Sequence, residues 1–304
     1  MSQLWDPEQT IEPDEALAII GEQFPTLKPQ KIALLGVGWD NTAYLINDVW
    51  VFRFPRREIA VALMEAESAL LPKIAPLLPL PIPTPEWIGT PGEGFPWPFA
   101  GYRYLKGSTA CRMQLTDKER FALAEPIAQF LVVLHSLPVQ HYPLLPTDTI
   151  ERLKVGRMMK GLKGRLEELY LLGKIEHKEP FLERLGSEDD YIKPTAFTLV
   201  HGDFYARHLL VDKRSQLTGV IDWGDIHRGD PAVDLAILPS FFPKAGQEIF
   251  RNVYGKISSE TFKLAQLRAL YSSCHMAVYG HHVQDNAIEG EGLMNIKRLL
   301  ANWA

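Results

Sequence analysis

The feature that most constrains this chain lies within residues 199–235, LVHGDFYARHLLVDKRSQLTGVIDWGDIHRGDPAVDL. Two short apolar runs, 208–211 and 217–221, flank the polar tetrad Lys213-Arg214-Ser215-Gln216. That pattern predicts a β-hairpin. Antiparallel pairing brings the start of the first strand beside the end of the second. His208 and Asp222 are therefore expected as neighbours, with Asp203 on the loop that feeds the first strand. The rest of the fold has to carry a point where two carboxylates and an imidazole meet.

Patterning around the hairpin changes near residue 105. Before it, a short helix over 13–24 precedes two strands around GVGWDNTAYLIND and VWVFRFP, rich in aromatic and β-branched residues. Helical periodicity covers 58–74, a proline-rich crossing follows, and FAGYRYL reads as a further strand, broken by Lys106-Gly107. Beyond it most segments are helical. Residues 117–137 form an apolar helix with Asp117 as N-cap and a kink or break at Pro126. Further helices are expected over 148–172, 176–186, 245–256, 259–284 and 290–302. The expectation is an α+β chain with a strand-rich lobe over 1–105 and a mainly helical lobe over 106–304.

Charge and cysteine content remove several function classes. The 304 residues carry a formal charge of −5, which gives no reason to expect nucleic-acid binding. The acidity sits in the first part, with 7 basic and 13 acidic residues up to Leu105 against 25 and 24 beyond it. Cys111 and Cys274 do not make a disulfide framework and read as reduced core thiols. The acidic N-terminus has no apolar leader, and no apolar run approaches a membrane span. A cytoplasmic protein, monomeric or weakly dimeric, is expected.

The chemistry is read from spacing. Asp203 stands in a His-Gly-Asp tripeptide, a ligand-capable residue follows five positions later, and Asp222 ends the paired strand. This is the spacing of a kinase catalytic loop and metal site. Asp203 would accept the proton of an attacking hydroxyl, and Asp222 would hold Mg²⁺ on the phosphates of a nucleotide. His208 stands where kinases place an Asn. Its nitrogen is a softer donor than Mg²⁺ prefers, so it either contacts the metal or orients the two carboxylates.

In the first lobe, Gly36, Gly38, Trp39 and Asn41 belong to a glycine-containing turn between strands, where backbone N–H groups can approach phosphates. The strand context excludes a Walker loop and a dinucleotide fingerprint. Alternation in VWVFRFP sets Arg53 on the face opposite Phe52 and Phe54, suiting it to grip phosphates. The helix acid orienting it is Glu67, with Glu65 as competitor. Asp225, Asp230, Asp234 and His201 are expected to cap a helix and hold the catalytic loop.

Together these residues resemble the aminoglycoside phosphotransferase-like superfamily, which includes aminoglycoside, macrolide and choline kinases. The carriers are V-HGD-xxxx-H-xLV, GVIDWxxxxxGDPxxDLA, LxGxGWDNxAYLIN, VFRFPRR, FAGYRYLKG and FLxxLHSLP, spread over most of the chain. The resemblance implies a two-lobed protein-kinase-like fold with ATP or GTP between the lobes. It also implies a base held by backbone near Arg103, Tyr104 and Leu105, with Asp203 as catalytic base and Asp222 as metal ligand. The acceptor it implies is a small-molecule hydroxyl, an antibiotic first, which would make resistance the setting. His208 is similar to macrolide kinases, whereas the first-lobe motifs look closer to aminoglycoside 2″-kinases.

Charge does not choose between these branches, because the balanced second lobe offers a polycation no acidic surface. The 148–172 helix carries Arg152, Lys154, Arg157, Lys160, Lys163 and Arg165, a solvated face by pattern. Its Leu153, Met158, Met159 and Leu162 would either line an apolar pocket or belong to plain core. An ordinary-metabolite kinase and a kinase-like binding module without turnover are the alternatives.

Overall fold

The computed structural model describes residues 7–38, 40–192 and 197–303. The chain divides into two compact units, one running up to Leu77 with Pro81–Lys106, the other comprising Leu78–Leu80 and the chain from Gly107 on.

The first unit opens with α1 (Pro13–Gln23), where Pro13 supplies the first helical φ and Glu15 reaches back to accept from the Glu12 N–H. Strands β1 (Ile32–Val37), β2 (Asn41–Ile46) and β3 (Trp50–Pro55) follow, then α2 (Glu58–Ile74), β4 (Pro85–Gly89) and β5 (Phe99–Arg103). They form one antiparallel sheet in the order β1-β2-β3-β5-β4. One face buries Phe52, Phe54 and Phe99 with Ile19 and Ile20 of α1. Phe54 stacks on Phe99 at 4.6 Å. Burying a ring of this size is worth about 1.5–3 kcal/mol. Gly101 is required here, since a Cβ at that position would lie 2.6 Å from the Phe52 ring. The other face packs Met64 of α2 against Ala100 and Tyr102. Strand alternation thus separates Phe52 and Phe54 from Arg53, which turns toward α2.

The second unit holds β6 (Ser108–Thr109), α3 (Asp117–Ala122), α4 (Ala124–Ser136), α5 (Val155–Leu171) and α6 (Glu179–Leu185). Strands β7 (Thr198–Val200), β8 (Leu209–Val211), β9 (Leu217–Val220) and β10 (His227–Gly229) come next. The chain then runs through α7 (Ala232–Leu235), α8 (Ile237–Phe241), α9 (Lys244–Tyr254), α10 (Ser259–His282) and α11 (Asn286–Asn302). Helix α10 is the spine, packed on α5, α7, α8 and α11.

Several boundaries differ from the sequence expectation, each for a local reason. The 117–137 helix breaks at Leu123 into α3 and α4, which leaves Pro126 in the first turn of α4, where its missing N–H costs nothing. The N-cap is Thr116 rather than Asp117, in a reciprocal box with Glu119. Helix α5 starts at Val155 instead of 148, because the Asp148 carboxylate captures the Arg152 N–H at 2.6 Å and its guanidinium at 2.7 Å. The expected 290–302 helix begins earlier, at Asn286, capped by Asp285. Leu153, Met158, Met159 and Leu162 are core, all under a tenth exposed.

One buried ion pair ties α3 to α11. Arg120 is fully buried and meets the Glu291 carboxylate through two parallel bonds of 2.7 and 2.5 Å, with Phe241 stacked over its guanidinium. Removing one charge strands the other in a dry site. The Glu291→Gln variant is expected to lose about 3 kcal/mol of unfolding free energy, read as a lower urea midpoint with unchanged slope.

Candidate active site

The hairpin expected at 208–222 is formed by β8 and β9, with Leu209 opposite Val220. This register sets His208 beside Asp222: the Ile221 N–H donates to the His208 carbonyl at 2.9 Å, and His208 Nε2 lies 3.1 Å from Asp222 Oδ2. His208 Nδ1 donates to the Asp203 carbonyl at 2.7 Å, and its ring is 4% exposed. The histidine therefore spans both carboxylate residues and fixes their separation. Proximity to Asp222 and Asp203 outweighs the effect of burial and raises its pKa to about 9.

Asp203 is held in a half-buried position, 29% exposed, with Oδ1 3.8 Å from Arg268 Nη2 of α10. Burial pushes its carboxyl up to about 6, against the opposing pull of His208 and Arg268. Asp222 is 55% exposed and takes φ +65°, a left-handed conformation that Asp tolerates better than most residues. Gly202 is also left-handed at φ +87°, and a Cβ there would sit 2.2 Å from the Asp225 carbonyl. Only glycine fits the turn that aims Asp203.

The loop is anchored by Asp234 at the end of α7. This fully buried carboxylate accepts from the His201 N–H at 2.8 Å, the Gly202 N–H at 2.9 Å and the His135 ring at 3.1 Å. Burial alone would raise its pKa, but the bonds and charge of His135 prevail and hold it low. His201 donates through Nε2 to the Ile221 carbonyl at 3.0 Å, tying the loop to the hairpin. Asp230 caps α7 through the Ala232 N–H, and Asp225 is paired with Arg152. Asp230, Asp234 and His201 thus cap the helix and hold the loop as expected, whereas the Asp225 side chain is taken up by Arg152 instead. Sequence reading did not single out His135 or Arg268, which lie far along the chain in helices that look like ordinary amphipathic ones.

In the first unit the glycine-containing turn joins β1 to β2. The Gly38 N–H donates to the Asn41 carbonyl at 2.9 Å, the Gly38 carbonyl accepts from Arg56 at 2.6 Å, and Arg57 pairs with Asp40. A Cβ at Gly36 would meet nothing within 4 Å, so the strand backbone there is open to an approaching group. Trp39 lies outside the described residues. Arg53 Nη1 meets Glu67 Oε2 at 2.8 Å, and Glu67 is 1% exposed, whereas Glu65 faces solvent. Arg103 packs over Trp50 and pairs with Glu86, while the Tyr104 N–H is spent on the Val49 carbonyl. Leu105 follows β5 as half-buried coil.

The phosphotransferase enzyme family model matches residues 31–270, which contain every residue just described from Gly36 to Arg268. The chain belongs to that family. It is 25% identical over 248 residues to the uncharacterized protein YcbJ of Bacillus subtilis (strain 168), covering 75% of this chain and 76% of that one. Among solved structures, the GDP complex of an aminoglycoside 2′-phosphotransferase-IIIa point mutant aligns with a TM-score of 0.70 at 25% identity, over 96% of this chain and 98% of the other. The GDP and kanamycin complex of APH(2″)-IIIa aligns at 0.67 and 25%, over 94% and 98%. A macrolide 2′-phosphotransferase type I shares the fold at 0.61 and 19% identity, over 95% and 99%. The α+β architecture of a strand-rich first unit and a helical second unit is that of these family kinases. The chain is a phosphotransferase by family. Among the described residues no helix is long and apolar enough to cross a membrane.

Proposed function

We propose that this protein transfers the γ-phosphate of ATP or GTP to a hydroxyl of a small molecule. The observation that carries the reading is the Asp203–His208–Asp222 constellation, in which one buried imidazole spans two carboxylate residues on a loop pinned by Asp234. Asp203 is the base: it takes the acceptor hydroxyl proton and points the oxygen at the phosphorus. Neighbours solved with GDP support a nucleotide as co-substrate.

Asp222 suits a hard cation, being a half-exposed carboxylate at the end of β9. His208 supports it as the residue that orients this carboxylate, its nitrogens being turned to Asp222 and the Asp203 carbonyl. Mg²⁺ bound with the nucleotide would neutralise charge on the phosphates. In the first unit, the open backbone at Gly36, with Asn41 across the turn, would cradle phosphate. Arg53, held by Glu67, contributes a fixed cation. Backbone at Arg103, Tyr104 and Leu105 borders the base. Dependence on a cytosolic nucleotide, with both cysteines free and buried, fits action in the cytoplasm.

Aminoglycosides and macrolides head the acceptors to try, from what the neighbours' names say they act on. The decisive experiment is phosphate transfer from ATP and GTP with Mg²⁺ to a panel of such antibiotics, choline, homoserine and hydroxy acids. Transfer dependent on Asp203 supports the reading, and absence of nucleotide binding counters it.

A pH profile gives a separate check. A raised pKa means that the proton stays on Asp203 to higher pH, so the base form is lost as pH falls through about 6. The kcat/KM of the free enzyme is expected to drop about tenfold per pH unit below that value. A rate that stays flat down to pH 5 would remove Asp203 from the role of base.

A further inference from the structure

The face of α10 nearest Asp203 is built unlike the rest of that helix. Leu264, Leu267, Leu270, Cys274 and Ala277 are buried core, whereas Arg268, Tyr271, Ser272, His275 and Tyr279 are half-buried. Their three- and four-residue spacing places them along one stripe of the helix. Arg268 and Ser272 line a cavity together with Asp203, Tyr205 and Ser240. The stripe therefore runs from the proposed base outward.

A second helix adds charge to the same stripe. The Arg165 guanidinium of α5 lies 5.4 Å from the centre of the Tyr271 ring, and that of Arg268 lies 5.8 Å from it. Arg165 also donates to the Gly161 carbonyl at 3.2 Å and to His275 Nε2. His275 therefore accepts and carries no proton on that nitrogen; burial and the two arginines push its pKa down to about 4. Arg207, from the catalytic loop, packs 5.4 Å from the Tyr279 ring centre.

The carboxylates in the neighbourhood are already engaged. Asp222 faces His208, and Asp225 is held by Arg152. Glu167 and Glu168 of α5 meet Lys178 and His282. Among the described residues, no carboxylate is salt-bridged to Arg165 or Arg207, and Arg268 reaches only Asp203, at 3.8 Å. Two guanidiniums sharing one aromatic ring repel each other and any cation brought between them. Each presents a planar fork of donors that matches a carboxylate or phosphate.

We propose that the acceptor is a hydroxylated small molecule bearing an oxyanion, carboxylate or phosphate, held on the arginine-lined face of α10 with its hydroxyl at Asp203. The assignment rests on the kinase reading above and narrows its substrate class away from polycations. In the reaction, the acceptor O–H proton passes to Asp203 and the oxygen bonds to the γ-phosphorus. The bond from that phosphorus to the β-bridging oxygen breaks, releasing the nucleoside diphosphate.

The test uses the full chain saturated with Mg²⁺ and a non-hydrolysable analogue of ATP or of GTP, whichever binds. Glycerate, glycerol 3-phosphate, glycerol and kanamycin are then titrated separately by calorimetry. At least one of the two anions is expected to bind tenfold or more tightly than glycerol, with kanamycin weaker than that anion. Which anion gains tells carboxylate from phosphate. The advantage over glycerol should shrink below threefold in Arg165→Gln and survive in part in Arg165→Lys, with thermal melts confirming that both variants fold. Equal binding of anions and glycerol, tighter binding of kanamycin than of either anion, or an anion advantage undiminished in Arg165→Gln would each overturn the assignment. Failure of both the ATP and the GTP analogue to saturate the protein would overturn the kinase reading itself, and the first titrations reveal it before any acceptor is added.

Discussion

Replacing Asp203 with Asn is expected to lower the rate of phosphate transfer by about 10²–10⁴-fold, the range for loss of a general base. The substitution keeps shape and volume and leaves the His208 hydrogen bond intact, because His208 donates that bond to the Asp203 backbone carbonyl. It removes the group proposed to take a proton, together with the negative charge that faces Arg268 Nη2 at 3.8 Å and His208 Nδ1 at 3.7 Å. Nucleotide affinity should change by less than about twofold, since the residues proposed to hold phosphate and metal are elsewhere. The measurement is single-turnover transfer alongside nucleotide titration in both proteins. A fall in rate with unchanged nucleotide binding separates an enzyme from a binding module with the same fold. An unchanged rate would mean that another group accepts the proton, or that none is needed.

The parts of this protein that sequence reading reached are those governed by short-range rules. A polar tetrad between two apolar runs can fold back in one way, so the neighbourhood of His208 and Asp222 follows from hairpin register. Alternation along β3 sends Arg53 away from the aromatic core and toward Glu67 of α2, where spacing to Leu70, Leu71 and Ile74 favoured Glu67 over Glu65. Pro13 marks a helix start through the dispensable N–H of a first turn, and the break expected at Pro126 falls three residues earlier, at Leu123.

Other features depend on residues brought together across long separations. Strand β10 reads as loop because its three residues gain strand character only by pairing with β7. The start of α5 is set by Asp148, whose carboxylate competes for the Arg152 N–H and holds it out of the helix. Arg165 and Arg268 look like solvated charges on two amphipathic helices. Only the packing of α5 on α10 shows that they flank one tyrosine, with Arg268 also reaching Asp203. Residue type singled out Asp203, the proposed base, while the charge of its surroundings had to come from the fold.

Asp234 provides the second large effect, and its sign sets it apart from Asp203. Asp234→Ala leaves the buried His201 and Gly202 N–H groups and the His135 ring without their acceptor. Each stranded N–H costs about 1–3 kcal/mol, so a loss of about 3–5 kcal/mol is expected in urea unfolding. Asp234→Asn keeps one oxygen and should lose roughly half as much. The low native pKa of Asp234 means that its stabilisation is fully present above its unfolded value and is lost below that, as pH falls through the native value. Asp203 behaves in the opposite way. Its native pKa lies about two units above the usual 3.8, so the ionised form weakens the fold above pH 6, by roughly 2–3 kcal/mol. A neutral Asn at 203 should therefore cost no stability at pH 7, and should gain some, while the rate collapses. On the proposed function, two aspartates serving one loop thus divide the work: Asp234 keeps the loop in place, and Asp203 is held there, against its own solvation, for the reaction. Equal losses of stability in both variants would mean that Asp203 is a structural carboxylate after all.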